Sequence, residues 1–418
     1  METPTLLAMF FWLCVVFAAY VYVGYPAIVW IGVRLWARPV RRSSAVGGRH
    51  PLNFPKSVSV IITAHNEVKM IGRRLTEFLD RFEACGLTGE VIVVSDGSTD
   101  GTVDRVRKFT ELSGAVPVRL IVLRTNVGKA AALSAGFAAA TSEIVALADT
   151  RQTWSPDALV RLLENFADPM VGAVSGELKV ESGTGVMHGV GLYWKYEKWL
   201  RQREALLHST IGLTGAICAV RRNLFRPIPA GTLLDDVYWP LSVAMRGHRV
   251  VFDDRAKALD RFPKLVASEF RRKVRTLSGN FQLIVRLPEA LLPWRNPVWF
   301  PLVSHKLARL AVPWALLAAF VSSAALGGVW YGTLFAVQLA GLLVALAGLS
   351  PAVATRSRVV ASAAALLVLN AAAWWAFWVW ATGRASRSWT KTTCYIPSRP
   401  IEQAAARHEP ELSLVGAR

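Results

Sequence analysis

The chain alternates between two regimes of hydrophobic patterning. Residues 5–33, 310–353 and 359–382 carry no charged side chain. About 20 consecutive apolar residues suffice to cross a bilayer. The first run therefore predicts an N-terminal transmembrane helix within residues 1–38. The later runs predict C-terminal transmembrane helices within 299–383, with spans near 307–326, 328–349 and 359–382. Gly327 and Gly328 mark an uncharged turn between two of them.

The intervening segment has the short periods of a globular domain. β-branched runs at 57–63, 90–94, 118–123 and 144–147 predict strands. Helical spacing at 67–82, 100–109, 129–140 and 156–166 alternates with them. This alternation predicts an α/β domain over 56–262, with a parallel sheet covered on both faces. Ligands of such sheets gather at the carboxyl ends of the strands, which selects residues 65–67, Asp96 and Asp149. Beyond residue 180 the pattern changes. A helix rich in Trp and Tyr is expected at 191–207, a small-residue loop leading into a strand at 212–222, and a helix opened by two acids at 235–246. Residues 266–285 form an amphipathic helix with Val266, Phe270, Val274, Leu277, Phe281 and Ile284 on one stripe. Arg271, Arg272, Lys273 and Arg275 fall off that stripe. A basic amphipathic helix beside a span suits the bilayer surface, so 263–298 is read as interfacial. The alternative is a helix that simply packs on the domain.

Charge narrows the picture. The 418 residues carry a net charge of +19 with only 18% charged positions. Arg34, Arg38, Arg41 and Arg42 follow the first span, and 39–55 reads as a basic linker. Such clusters mark the cytoplasmic side of a membrane and attract anionic lipids. They place the N-terminus outside and the domain in the cytoplasm. The basic residues are not interleaved with aromatics in a nucleic-acid-binding motif, so nucleic acid is excluded as a partner. For the tail, 384–418, two signals oppose each other: counting spans puts it outside, whereas Arg384, Arg387 and Lys391 favour the inside. The N-terminus lacks the basic start and short apolar core of a cleavable signal peptide. Cys14, Cys85, Cys218 and Cys394 are scattered without metal-ligand spacing and read as free thiols.

Three acids carry the candidate chemistry. Asp96 lies in VVSDGSTDGT, where a sharp turn exposes polar groups that can meet a nucleobase or ribose. Asp149 lies in VALADTRQ and offers oxygen to a divalent cation, Mg²⁺ or Mn²⁺, which typically takes one or two carboxylates plus substrate phosphates. Asp235 and Asp236 open a helix, where acids also serve as cap and dipole residues. Lys129, after Gly128 at a helix start, is placed for a phosphate. The P-loop spacing and GxGxxG are both missing, which argues against an ATPase and a dinucleotide-binding dehydrogenase.

As an ordered set over about residues 56–310, these motifs resemble family-2 glycosyltransferases of the GT-A (Rossmann-like) fold, in the membrane-bound branch that includes hyaluronan, chitin and cellulose synthases. The resemblance implies an inverting hexosyltransferase at the cytoplasmic face of the inner membrane. It would move a sugar from a nucleoside-diphosphate sugar, UDP-linked by expectation, to a growing polysaccharide. The alternatives are single addition to a lipid-linked acceptor, or a degenerate subunit that only binds nucleotide-sugars. Implied donor-binding residues are Ala64, His65, Asn66 and Glu67 in SVIITAHNE, Asp96, and Lys129 in NVGKAAAL. Asp149 occupies the place of the metal-binding DxD, whose first position is Leu147 here. Thr214, Gly215 and Ala216 in TGAICAVRR take the acceptor side with Asp235, and Asp236 in LLDDV takes the place of the catalytic base. The acceptor-holding QxxRW motif appears as Arg272-Lys-Val-Arg275-Thr276, keeping the Arg and losing Gln and Trp. Trp389 and Lys391 resemble a short gating motif. Implied partners are the donor, a saccharide or lipid-linked acceptor, membrane lipids, and export or assembly proteins.

Overall fold

The computed structural model describes residues 3–43, 54–112, 114–180, 186–260 and 266–385. Trp389, Lys391 and Cys394 lie outside them. Cys14, Cys85 and Cys218 are free thiols.

One eight-stranded sheet forms the domain. Its strands are β1 (Ser57–Ala64), β2 (Thr88–Asp96), β3 (Val118–Leu123), β4 (Ile144–Ala148), β5 (Thr153–Trp154), β6 (Val171–Val180), β7 (Ile217–Arg221) and β8 (Arg249–Asp260). They stand in the order β3-β2-β1-β4-β7-β6-β8-β5. The first four strands are parallel, and the helices Val68–Ala84, Thr102–Thr110 and Lys129–Ala139 connect them. The expected wholly parallel sheet ends there. β7 pairs antiparallel with β4, Ala148 facing Ile217. It starts from a loop lying at the carboxyl end of β4, so its only course along that strand is the reverse one. β6 is antiparallel to β7 and parallel to β8. The central strands β1, β2 and β4 are buried almost throughout. Such runs suit a sheet covered on both faces, and the two apolar clusters lie on its two sides.

Among the described residues, four helices are long and apolar enough to cross a membrane: Pro4–Trp36, Trp299–Leu326, Gly328–Ala347 and Arg358–Ala381. Two of them contain a π-helical turn, at Tyr20–Gly24 and Leu302–Leu307. The first of these turns meets the second through Tyr20 Oη and Ser304 Oγ, 2.7 Å apart.

Two long helices join the sheet domain to the spans. Val186–Leu207 packs Leu200 against Tyr25 and Val29 on one side. On the other, Val190 meets Ala361, Ala364 and Ala365. The amphipathic helix Val266–Arg286 lays Phe270, Val274, Leu277 and Phe281 against Ala372, Ala376 and Val379. Ser278 Oγ donates to the Ala376 carbonyl at 3.0 Å. Its stripe thus packs on a membrane helix.

A close approach on the other face of the sheet sets a local size limit. A methyl group at Gly136 would stand 2.7 Å from Ile61 Cγ2 and 3.2 Å from Val94 Cγ2. Gly136→Val is expected to cost about 1–3 kcal/mol by overpacking. The check is a lower unfolding midpoint in a thermal melt of the detergent-solubilised protein.

Candidate active site

The carboxyl ends of β1, β2 and β4 and the start of β7 lie along one edge of the sheet, where most of the predicted residues converge. Asp96 ends β2 and is 5% exposed. Its Oδ1 accepts the Val127 N–H at 2.7 Å and its Oδ2 the Gly128 N–H at 2.9 Å. Asp96 therefore fixes the turn that delivers Lys129. Gly97 lets the two turns touch: its φ is +61°, and a Cβ there would lie 2.4 Å from the Asn126 nitrogen.

The loop after β1 is tied to the loop after β2. Ala64 is buried at the end of β1. His65 Nδ1 lies 2.6 Å from the Asp96 carbonyl oxygen. Asn66 adopts a positive φ of 54°. Its N–H donates to Ser98 Oγ at 3.1 Å and its Oδ1 accepts the Thr99 N–H at 2.7 Å. The Glu67 N–H donates to Thr102 Oγ1 at 2.8 Å. These bonds hold residues 64–67 and 96–102 as one rigid rim.

Lys129 opens its helix and bonds Asp149, which follows β4, with Nζ 2.8 Å from Oδ1. Burial acts to lower the Lys129 pKa, but Asp149 and then Asp235 and Asp236 raise it above the ordinary lysine value. The converse holds for the acids. Asp236 is pushed up to about 6, first by burial and then by Asp235, with Lys129, Arg201 and Lys306 opposing. Asp235 is also raised, by burial and, beyond the opposing Lys129, by Asp149. Two like charges in one half-buried site favour keeping one proton.

The loop before β7 closes the other side. A methyl group at Gly215 would lie 3.4 Å from Lys129 Nζ and 3.7 Å from Asp236 Cβ. Gly215 thus lines the space between cation and acid. The Thr214 N–H donates to Ser175 Oγ at 2.9 Å, and the Ala216 carbonyl accepts Trp154 Nε1 at 3.0 Å. The Leu213 N–H reaches the Asp236 carbonyl at 2.8 Å.

Among the predicted residues, Arg275 and Arg272 part company. Arg275 lies where Asp235 and Asp236 act on its charge. Arg272 instead grips Glu269 with two bonds of 2.8 and 2.7 Å and lies over the Trp194 ring. Arg201, which the motifs did not mark, joins the site. It donates to the Gly212 carbonyl at 2.8 Å and opposes the raised pKa of Asp236. Its only sequence signal is its place on the aromatic-rich helix, one helical turn beyond Glu197. Among the described residues, no three His, Cys, Asp or Glu side chains cluster tightly enough to hold a metal ion alone.

The mixed sheet, with its acids and lysine at one edge, has the GT-A fold. Residues 59–228 match the family described as Glycosyl transferase family 2, and the chain carries a family 2 glycosyltransferase domain. It is 33% identical over 127 residues to an uncharacterised glycosyltransferase of Nostoc sp., a stretch covering 30% of this chain and 38% of that one. It is 21% identical over 238 residues to poly-β-1,6-N-acetyl-D-glucosamine synthase of Staphylococcus aureus, covering 55% and 56% of the two. The chain thus spans about half the length, or less, of these curated relatives. Among solved structures it is similar to a mannosyltransferase of Pyrobaculum calidifontis in complex with GDP-mannose and Mn²⁺. The TM-score is 0.60 at 25% identity, covering 87% of this chain and 99% of that one.

The Asp96 bridge is open to test. Asp96→Asn can accept only one of the two N–H groups with its oxygen, which is expected to cost about 1.5–3 kcal/mol. Faster hydrogen exchange at the Val127 and Gly128 amides is the expected signature.

Proposed function

We propose that this protein transfers a sugar from a nucleoside-diphosphate sugar to a saccharide hydroxyl, with inversion, at the cytoplasmic face of the inner membrane. The observation that carries the reading is the grouping of Lys129, Asp149, Asp235, Asp236 and Gly215 at one sheet edge. The nucleotide would lie along the rim built from Ala64, His65, Asn66, Glu67 and Asp96. Lys129 would meet the diphosphate, whose charge grows as the bond to the anomeric carbon breaks. The mannosyltransferase named above, with its bound GDP-mannose and Mn²⁺, supports a donor of this class and a divalent cation.

The donor set fits such a cation. Asp149 is one-third exposed beside its lysine. Burial is the first cause of the raised pKa values of Asp235 and Asp236, and Asp149 acting on Asp235 and Asp235 acting on Asp236 add to it, so negative charge that a cation could meet is gathered here. A cation held by Asp149 would take its remaining ligands from substrate phosphate oxygens. When bound, it supplies further charge stabilisation to the leaving diphosphate.

Asp236 would act as base. The acceptor oxygen attacks the anomeric carbon from the face opposite the diphosphate. Its proton passes to Asp236, and the nucleoside diphosphate leaves with the electron pair of the broken C–O bond. Single displacement inverts the anomeric centre. Thr214, Gly215, Ala216 and Arg275 border the acceptor side. The similarity to a polysaccharide synthase supports a saccharide acceptor. The placement in the membrane rests on the four apolar helices and on Arg34, Arg38, Arg41 and Arg42 after the first.

Asp236→Asn should abolish transfer while nucleoside-diphosphate affinity stays unchanged, measured by product release and by titration. Surviving transfer would remove Asp236 from the role. Because Asp236 acts ionised and is pushed up to about 6, wild-type kcat should rise with pH through about 6 and level above it. Lys129 opposes that upward shift, so Lys129→Gln should move the inflection to higher pH. Asp149→Ala is expected to weaken Mn²⁺-dependent donor binding about tenfold or more and to leave metal-free binding nearly unchanged. Equal affinities with and without Mn²⁺ in the wild type would count against the assignment.

A further inference from the structure

Arg201 carries a charge that its hydrogen bonds do not need. It stands on the helix Val186–Leu207, with Glu197 one turn before it and Glu204 one turn after. Both carboxylates are taken up by the spans. Glu197 meets Lys306 at 3.0 Å, and Glu204 accepts the Tyr25 hydroxyl at 2.6 Å. His305 lies 3.0 Å from the first and 2.7 Å from the second. Arg201 bonds other groups. Its Nη2 donates to the Gly212 carbonyl at 2.8 Å and lies 3.4 Å from Ser175 Oγ, and its Nε lies 3.5 Å from Thr210 Oγ1. All three partners are neutral, and a neutral donor would serve them. A half-buried charge is costly to keep unless another charge compensates it.

The bonds lead to Asp236 in two steps. The Gly212 carbonyl and the Leu213 N–H belong to one peptide group. Its oxygen accepts from Arg201, and its N–H donates to the Asp236 carbonyl at 2.8 Å. Charge at one end of such a chain strengthens the next bond. The Thr214 N–H then donates to Ser175 Oγ at 2.9 Å, and Ser175 is fully buried on β6. Gly212, Leu213 and Thr214 are thus tied to three elements, immediately before Gly215. The charge reaches Asp236 through space as well. Asp236 is faced by Asp235 on its own helix, by Lys129, Arg201, Arg275 and Lys306 from four other helices, and by Cys218 of β7. Lys129 is paired with Asp149 and Lys306 with Glu197. Among the described residues, neither Arg201 nor Asp236 forms an ion pair, yet each acts on the charge of the other.

We propose that Arg201 is a positioning residue for sugar transfer: through the Gly212–Leu213 peptide group it fixes the backbone of Asp236 against the loop before β7, and its guanidinium offsets the charge of the Asp236 carboxylate. The donor rim lies on other elements and does not depend on it. The proposal rests on reading Asp236 as the base.

The test uses the full-length protein in phosphatidylcholine nanodiscs. Transfer is followed across pH by diphosphate release from UDP-N-acetylglucosamine and GDP-mannose. Binding of UDP and GDP, and hydrogen exchange at the Leu213 and Thr214 amides, are measured in parallel. Arg201→Met should lower kcat about tenfold to a hundredfold, quicken exchange at Leu213 and leave diphosphate affinity unchanged. Burial raises the Asp236 pKa and Arg201 acts against it, so this variant should also move the inflection of kcat to higher pH. Arg201→Lys keeps the charge with a shorter reach. It should hold the inflection near the wild-type value and recover part of kcat. Arg203 lies over Trp199, on a different face of the same helix, and Arg203→Gln should change none of these readings. Should Arg201→Met fail to fold, Arg201→Gln repeats the measurement. Wild-type kcat without the guanidinium would overturn the proposal. A lysine variant no better than the methionine one, with neither inflection moved, would do the same and leave Arg201 a purely structural residue. Transfer that survives in Asp236→Asn, or is missing from the wild type, would instead overturn the proposed function. Exchange at Leu213 needs no turnover and reads separately whether Arg201 holds the loop.

Discussion

The site depends on one lysine standing among three carboxylates. Like charges about 4 Å apart repel by about 4 kcal/mol at an effective dielectric near 20. Asp149, Asp235 and Asp236 could not converge on one half-buried space without a cation. Lys129 bonds Asp149 directly and opposes the upward shift of both other acids. Its position is fixed in turn by Asp96, which takes the two N–H groups immediately before it. A chain of constraint therefore runs from the end of β2, through the 126–129 turn, to the acid after β4 and the two that open the helix Asp235–Met245. The balance is incomplete, and that incompleteness has chemical value. A carboxyl group held near pH 6 can exchange a proton with a hydroxyl under mild conditions.

The same logic governs the junction with the membrane helices. The helices Val186–Leu207 and Val266–Arg286 each turn one face to the spans and the other to the site. On the second, Val274, Leu277 and Phe281 meet the apolar helix Arg358–Ala381, while Gly279 lies against Leu234, just ahead of the paired acids. Movement of the helix Arg358–Ala381 would therefore reach the segment before Asp235 through a single helix. The Glu197 cluster pins the first helix to the span that begins at Trp299, with Lys306 and Arg309 on one carboxylate. Charges at such depth hold only when paired, and here the pairing joins domain to membrane.

Much of this was legible in the residues. The strands β1 to β4 are dense in Val, Ile and Ala, and burial on both faces follows from that composition. The ends of those strands form one edge of the sheet, so Asp96, Lys129 and Asp149 could be placed together from order alone. β6 and β8 could not be read the same way. They carry Glu177 and Asp253, buried polar groups that Lys198 and Asn165 reach from elsewhere in the chain. No local pattern reports a partner 20 or 90 residues away. The antiparallel course of β7 was equally invisible, since it depends on where its entering loop lies.

The chain by itself determined two regimes, spans and sheet, because uncharged length and alternating periods are local properties. It also determined which acids end strands. Only the tertiary structure decided what those groups touch. It gave the oxygens of Asp96 to two backbone N–H groups, set Arg275 near the acids, and brought Arg201 into the site from a helix without a motif. The physical reason is that a side chain's charge state and direction depend on neighbours brought in by the fold, which sequence spacing does not encode.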